Sequence, residues 1–237
     1  MKVLVINGSP NKEKSATLAL TRAFLHGMNE TAEIVHTIDL KINPCRACYA
    51  CWMVTDGHCV QKDDAIPVLE TIRAADLVIW SVPIYCYSAP SHCKALMDRT
   101  LCFNQPEMYL GKDGRAHHYG YEDGTKKTVL ISSGGLPDVT GNFDGLIFQL
   151  KHMFGPDTAT ICCAEGALLM QADTAGMIKP YLDAVEHAGA EYKANGCISP
   201  QTQSILSTPP IPREDYIQNV NTLFGKMKEC ADSGSAM

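Results

Sequence analysis

"KVLVINGSPNKEKSATLALTRAFLHGM" (residues 2–28) decides the fold. Residues 2–7 form a continuous apolar run that stops at Gly8-Ser9-Pro10. From Ser15 to Met28, Leu18, Leu20, Ala23, Phe24 and Leu25 recur at helical spacing, so the segment reads as strand, loop and helix. A strand that is apolar at every position has no face to give to water, which is the mark of a parallel sheet covered by helices on both sides.

The same alternation continues along the chain. Further strands are expected at 32–40, 76–83, 127–133 and 158–164, and helices at 63–75, 89–103, 143–154 and 177–196. The last of these helices ends at Gly196, as helices often do. A polar segment, 104–126, has no periodicity and is too long for a simple connection, which marks it as a cover for a site or an interface. The expected architecture is α/β: a three-layer, doubly wound parallel sheet over residues 1–198. Residues 199–237, with "TPPIP" and an amphipathic stretch over 213–228, read as a C-terminal helical arm packed on the domain or on a partner subunit.

The 237 residues suffice for one sizeable core. A net charge of −6 with no basic block argues against nucleic acid as a partner. No apolar run reaches the roughly 18 residues of a membrane span, and the apolar start is too short for a secretory signal, so a cytoplasmic protein is expected. In that reducing compartment eleven cysteines read as ligands, redox groups or small core residues rather than disulfides. The seven scattered ones (Cys86, Cys93, Cys102, Cys162, Cys163, Cys197, Cys230) read as buried small hydrophobes.

In open α/β sheets the loops at the carboxyl ends of the strands converge on the ligand. The first loop places Ser15 and Thr17 at a helix start, where free amides and the helix dipole favour a phosphate; the plainer alternative is that they cap the helix. Neither Gly-Lys-Ser/Thr nor G-x-G-x-x-G is present, which disfavours ATP and dinucleotides as the main ligand. The loop after the third strand carries Pro83, Ile84, Tyr85 and Tyr87, and the loop after the fourth carries Gly134-Gly135, where the backbone can approach a ligand closely. Together they suit a planar heterocycle with a phosphate at one end.

The segments "GSPNKEKSATLALTRAFL", "SVPIYCYSAPSHCKALMDRT" and "ISSGGLPDVTGNFDGL" resemble the three FMN loops of the NADPH-dependent FMN reductase branch of the flavodoxin-like family. The likeness extends over nearly the whole chain and includes "EHAGAEYKANGCIS". It implies a flavodoxin-like sheet of five strands in the order 2-1-3-4-5, FMN as cofactor, and a homodimer or dimer of dimers. It also implies electrons passing from NAD(P)H to a small acceptor such as a quinone, a nitro or azo compound, or free flavin. By position, Ser9, Ser15, Thr17 and the amide of Ala16 would hold the FMN phosphate. Pro83, Ile84, Tyr85 and Cys86 would border the isoalloxazine, with Ser133, Gly134 and Gly135 at its other edge. Two departures stand out: Lys14 replaces a small residue, and Ser133-Gly134-Gly135 replaces a Thr-Cys-Gly type of turn.

"PCRACYACWMVTDGHC" (44–59) spaces Cys45, Cys48, Cys51 and Cys59 as C-x2-C-x2-C-x7-C. Three close thiolates and a fourth returning from a short loop suit iron–sulfur ligation. Zinc more often takes two separated C-x2-C pairs, and a redox disulfide is the third reading. The motif resembles that of the iron–sulfur flavoproteins, which implies a [4Fe–4S] cluster passing single electrons to FMN and ferredoxin as the partner. Cluster-free relatives retain several of these cysteines, so all three readings stay open. His117-His118 reads as a solvated loop pair, His58 as an exposed turn residue, and Tyr49 and Trp52 as packing for the cysteine loop.

Overall fold

The computed structural model describes residues 1–121, 126–170 and 175–232. Positions 122–125 of the polar segment and 233–237 of the arm lie outside the described residues. The strands are β1 (Val3–Asn7), β2 (Glu33–His36), β3 (Leu77–Ser81), β4 (Asn104–Leu110), β5 (Ala116–Gly120), β6 (Lys127–Ser133) and β7 (Ala159–Cys163). The helices are α1 (Ala16–Gly27), α2 (Ala50–Met53), α3 (Ala65–Ala74), α4 (Ser91–Arg99), α5 (Asp144–Phe154), α6 (Ala175–Asn195), α7 (Pro200–Leu206) and α8 (Arg213–Asp232).

Five strands form one parallel sheet in the order β2-β1-β3-β6-β7, the order expected once the hairpin strands are set aside. The register aligns Val3 with Leu77 and Ile6 with Trp80 between β1 and β3, and Val129 with Ala159 between β6 and β7. Because side chains alternate along a strand, each strand feeds two cores. Val3, Val5, Ile79, Val129 and Ile161 face α1 and α6. Leu4, Ile6, Val78, Trp80 and Leu130 face α3, α4 and α5. In the second core Trp80 stacks on Phe154 with ring centroids 5.5 Å apart.

Helices α1 and α6 touch backbone to backbone. A Cβ on Gly27 would stand 1.8 Å from the Glu186 carbonyl oxygen, and one on Gly189 would stand 2.0 Å from that of Phe24. Only glycine permits that crossing, and the reciprocal pair draws the first and last main helices of the domain together.

Several boundaries differ from the sequence expectation. The second strand ends at His36, where a 3-10 turn (Thr37–Asp39) begins and the Thr37 hydroxyl donates to the Asn7 carbonyl at 3.2 Å. The helix expected over 89–103 ends at Arg99, and the Thr100 hydroxyl folds back on the Met97 carbonyl at 2.7 Å to open a 3-10 turn. The segment expected to be irregular holds the antiparallel β4–β5 hairpin, closed by Gly111 and Gly114, the latter at φ +75°. The arm contains α7, capped by the Ser199 hydroxyl accepting from the Thr202 amide at 3.2 Å, which the sequence reading missed. Tyr181 of α6 donates to the Leu206 carbonyl at 3.0 Å and fixes α7 against the domain.

Of the scattered cysteines, Cys93, Cys102, Cys162 and Cys163 are buried, whereas Cys86, Cys197 and Cys230 are exposed, against expectation. Burial pushes the Cys93 thiol up to about 12 and the Cys102 thiol up to about 11, so neither is a nucleophile at neutral pH.

Candidate functional site

The first loop is built by Asn7. Its Oδ1 accepts from the Ser9 amide at 3.1 Å, and its Nδ2 donates to the Lys12 carbonyl at 3.3 Å and to His36 Nδ1 at 2.9 Å. His36 is thereby fixed with its proton on Nε2, which donates to Glu13 at 2.9 Å. Arg22 first, then His36, holds the Glu13 carboxyl below its ordinary range. Ser15 caps α1, accepting from the Leu18 amide at 3.2 Å. The amides of Ala16 and Thr17 have no acceptor among the described residues, as the first amides of a helix lack one by construction. The Thr17 and Ser133 hydroxyls meet at 2.5 Å and tie the first loop to the third.

The second loop leaves β3 through Val82 and Ile84, whose amides donate to Ile131 and Ser133 carbonyls at 3.0 and 2.9 Å. It then reverses tightly: Tyr85 and Ser88 exchange backbone hydrogen bonds of 2.8 and 3.1 Å around Cys86 (φ 48°) and Tyr87 (φ 64°). Two adjacent left-handed residues make this a type I′ turn, a conformation that favours glycine or asparagine, so the loop stores strain. In the third loop a Cβ on Gly134 would stand 2.8 Å from Ile84 Cγ2 and 3.0 Å from the Phe143 ring, whereas one on Gly135 would meet nothing within 4 Å.

Two adjoining cavities lie over these loops. One, of about 190 Å³, is lined by Ser9, Ser15, Ala16, Thr17, Pro83, Ile84, Tyr85, Ser133, Gly134 and Gly135. Asn11, and beyond β7 Gly166, Ala167 and Met170, complete its wall and were not foreseen. The other, of about 290 Å³, shares Ile84, Gly134 and Gly135 and adds Cys86, Tyr87, Leu136, Asn142 and Phe143. Every residue expected at a phosphate or ring site therefore borders one continuous hollow. Among the described residues no acidic side chain lines either part. Unclaimed helix amides at one end and side-chain-free glycines at the other fit a flat heterocycle with a phosphate tail. Lys14, which precedes Ser15 in the sequence, is exposed.

Behind the third loop, Glu165 is fully buried in a left-handed conformation (φ 59°). Its Oε2 accepts from the Ile211 amide at 3.0 Å, while its Oε1 has no partner among the described residues. Burial pushes its carboxyl up, opposed by the Ile211 amide and reinforced by Asp138. Tyr216 of α8 donates to the Gly135 carbonyl at 2.9 Å, so the arm reaches the glycine pair directly.

The cysteine loop winds through left-handed Ala47, Tyr49, Asp56 and Gly57. These turns bring Cys45, Cys48, Cys51 and Cys59 to one small cavity of about 20 Å³, shared with Leu101, Cys102 and Arg99. Burial, then the neighbouring Cys59, with Cys48 and Cys45 adding, pushes the Cys51 thiol up. Arg99 has no exposed side chain; it donates to Cys59 Sγ at 3.2 Å, to Asp63 at 2.6 Å, and to the Asn43 and Gln61 carbonyls at 3.0 and 3.4 Å. Among the described residues all cysteines are free, and no three His, Cys, Asp or Glu side chains are arranged around a single metal ion. The donor chemistry suits a cluster: four thiols, an apolar wall and a buried cation. A cavity of that size admits one only if the thiols move outward, and Cys48, the exposed one, has most room to do so.

His58 is exposed as expected and pairs with Glu70 at 3.1 Å. His117 and His118 belong to β5 rather than a solvated loop: His117 pairs with Asp113 at 2.9 Å and His118 lies against Trp52 with centroids 5.0 Å apart.

Comparison with known proteins agrees with this architecture. A family model described as flavodoxin-like fold matches residues 1–156. An iron–sulfur flavoprotein of Archaeoglobus fulgidus is 38% identical over 101 residues, 42% of this chain and 49% of that one. One of Methanosarcina thermophila is 34% identical over 136 residues, 54% of this chain and 69% of that one. The match thus spans about half the Archaeoglobus protein and two thirds of the Methanosarcina one. Among solved structures, an FMN-dependent NADH-azoreductase from Bacillus anthracis in complex with FMN superposes with a TM-score of 0.57 at 15% identity, covering 81% of this chain and 99% of that one.

Proposed function

The chain belongs to the flavodoxin-like fold family, with iron–sulfur flavoproteins among its relatives, and on that premise we propose that it is an FMN-dependent oxidoreductase. The observation that carries the reading is the pair of unclaimed α1 amides, Ala16 and Thr17, opening on the same hollow as Gly134-Gly135. Bound there, FMN would supply two-electron redox chemistry between NAD(P)H and a small acceptor, a quinone, a nitro or azo compound, or free flavin.

The chain's own residues position and polarise. Ser9, Ser15, Thr17 and the Ala16 amide would hold the phosphate at the positive end of α1. Pro83, Ile84, Tyr85 and Cys86 would border the ring, with Ser133, Gly134 and Gly135 at its other edge. The amides of Cys86 and Gly135, which have no acceptor among the described residues, are the donors available to a negative ring. Phe143 and Ile84 leave no space behind Gly134, which keeps water from that side. Residues 1–198 form the flavin domain, and residues 199–237 are an arm that braces the third loop or a second subunit of a homodimer. Among the described residues no helix is long and apolar enough to cross a membrane, and a cytoplasmic protein remains our reading.

Flavin content tests the phosphate site. Ser15→Ala and Thr17→Val should each weaken FMN on the order of tenfold, equivalent to about 1.4 kcal/mol, as read by quenching of FMN fluorescence on titration with flavin-free protein. Unchanged affinity in both variants would refute the assignment.

A second reading rests on the four thiols converging beside buried Arg99. In it Cys45, Cys48, Cys51 and Cys59 hold a [4Fe–4S] cluster and ferredoxin delivers electrons singly. Iron and sulfide analysis of anaerobically purified protein separates the two: about four of each per chain, lost on Cys51→Ser, supports the cluster, and flavin without iron supports the first reading.

A further inference from the structure

A cavity of about 1050 Å³ belongs to neither site and lies between the β4–β5 hairpin and the C-terminal ends of α4 and α5. Small-molecule pockets run from about 300 to 1,000 Å³. Helix α5 starts after Phe143, at the flavin-side hollow, and ends at Phe154, in this cavity. Its 11 residues therefore separate the two by about 16 Å at 1.5 Å per residue. We propose that this cavity is a second ligand site, for a flat aromatic compound carrying a carboxylate or sulfonate.

The charge of the wall selects the anion. In a chain of net charge −6, the cavity is lined by Arg115, Lys151 and the imidazoles of His117, His118 and His152. Its two acids are already engaged: Asp98 accepts from Lys94 at 2.5 Å, and Asp113 from His117 at 2.9 Å and from the Arg115 amide at 3.1 Å. Lys151 has no ion-pair partner among the described residues. Arg115 Nη1 donates to His152 Nε2 at 2.6 Å, and His152 Nδ1 donates in turn to the Phe148 carbonyl at 2.7 Å. That chain fixes the guanidinium in place through one of its five donors and leaves the others for a ligand. His118 Nδ1 is buried without a hydrogen-bond partner among the described residues.

The rest of the wall selects the ring. Phe103, Tyr109 and Phe154 line it, with Met97 and Met153 as adaptable filler. The rings are braced from behind, Phe154 by Trp80 at 5.5 Å and Tyr109 by Tyr119 at 4.7 Å. Aromatic walls with a fixed guanidinium and a free ammonium give a flat apolar body one place and its charge another.

Both tryptophans of the chain stand one ring from the cavity, Trp80 behind Phe154 and Trp52 against His118, so binding should be visible in intrinsic fluorescence. The probe is naphthalene-2-sulfonate, which is redox-inert, titrated into the protein as purified with the flavin spectrum recorded in parallel. Expected are saturable quenching with one probe per chain, at least tenfold weaker affinity in Arg115→Ala/Lys151→Ala, wild-type affinity in Lys151→Arg, and no binding of neutral 2-methylnaphthalene. Ser15→Ala should leave probe binding unchanged, which separates this site from the flavin reading. No saturable binding to wild type, equal affinity in the double alanine variant with its circular dichroism unchanged, or a probe that perturbs the flavin spectrum and is displaced by FMN would each overturn the proposal.

Discussion

Replacing Arg99 with methionine keeps most of the side-chain volume and deletes a buried cation. Arg99 and Asp63 expose 0% and 5% of their side chains, so water screens the pair little. Breaking a buried pair by removing one partner costs about 3–5 kcal/mol. Asp63 keeps three other donors, the Asn43 amide at 2.9 Å, Asn43 Nδ2 at 3.1 Å and the Ala65 amide at 3.1 Å, which places the charge contribution near the lower end, about 3 kcal/mol. The Asn43 and Gln61 carbonyls each lose a donor, adding about 1 kcal/mol between them. A loss of about 4 kcal/mol with a urea slope of about 3 kcal/mol/M lowers the unfolding midpoint by about 1.3 M. Urea titration followed by tryptophan fluorescence at pH 7 reads this directly. Arg99→Met/Asp63→Asn should recover more than half of the loss, because no uncompensated charge remains. Burial pushes the Asp63 carboxyl up, but Arg99 and the Asn43 amide outweigh it and hold it below its ordinary value. The stability this lends is present above about pH 3.9 and lost as pH falls through the lower folded value, so the gap between wild type and Arg99→Met should narrow below pH 4. A single variant within about 1 kcal/mol of wild type, or a double variant no better than the single, would refute the argument.

Gly27→Ala should destabilise by about 3 kcal/mol or more, because its Cβ would meet the Glu186 carbonyl oxygen at 1.8 Å. Gly135→Ala, whose Cβ meets nothing within 4 Å, should change stability by less than about 0.5 kcal/mol yet lower flavin content; thermal melts and flavin absorbance separate the two effects. Glu165→Gln removes a carboxyl whose folded value is raised chiefly by burial. Wild-type stability from this group is full below the ordinary glutamate value, about 4.3, and is lost as pH rises through the folded value. The variant should match wild type at pH 4 and exceed it at pH 8 in urea titrations; equal stability at both pH values would contradict the burial argument.

The sheet was legible because β1, β3 and β6 each carry an unbroken apolar run, Val3–Ile6, Leu77–Trp80 and Val129–Ile131, and runs buried on both faces admit few architectures. The edge strand β2 was read too long because Glu33 is exposed and Ile34, Val35 and His36 are only half-buried, leaving weak contrast with the turn that follows. The hairpin was not legible at all: Pro106, a register shift between Asn104 and Met108 and a polar, aromatic alternation obscure the period-two signal. The residues expected at a phosphate and a ring could be named in advance, and meet at one hollow, because glycines, hydroxyls and strand ends mark them in one dimension. Gly166, Ala167 and Met170 escaped because only the return of the chain past β7 brings them to the same hollow. Arg99 escaped for the same reason: a lone arginine in an amphipathic helix reads as solvated, and only the folded cysteine loop makes it buried.

Helix α4 runs from Ser91, next to the strained Tyr85–Ser88 turn, to Arg99 in the cysteine cavity. Each residue of a helix turns the chain by about 100° as well as advancing it 1.5 Å. Deleting one residue from α4 would shorten the molecule only slightly but would swing the guanidinium a quarter-turn or more away from Cys59. A whole turn added or removed would restore the phase but carry Arg99 about 5.4 Å along the axis, beyond reach of partners it now meets at 2.6 to 3.4 Å. The helix is thus a ruler read by phase and by length at once, and a change in its residue count at one end is felt at the other.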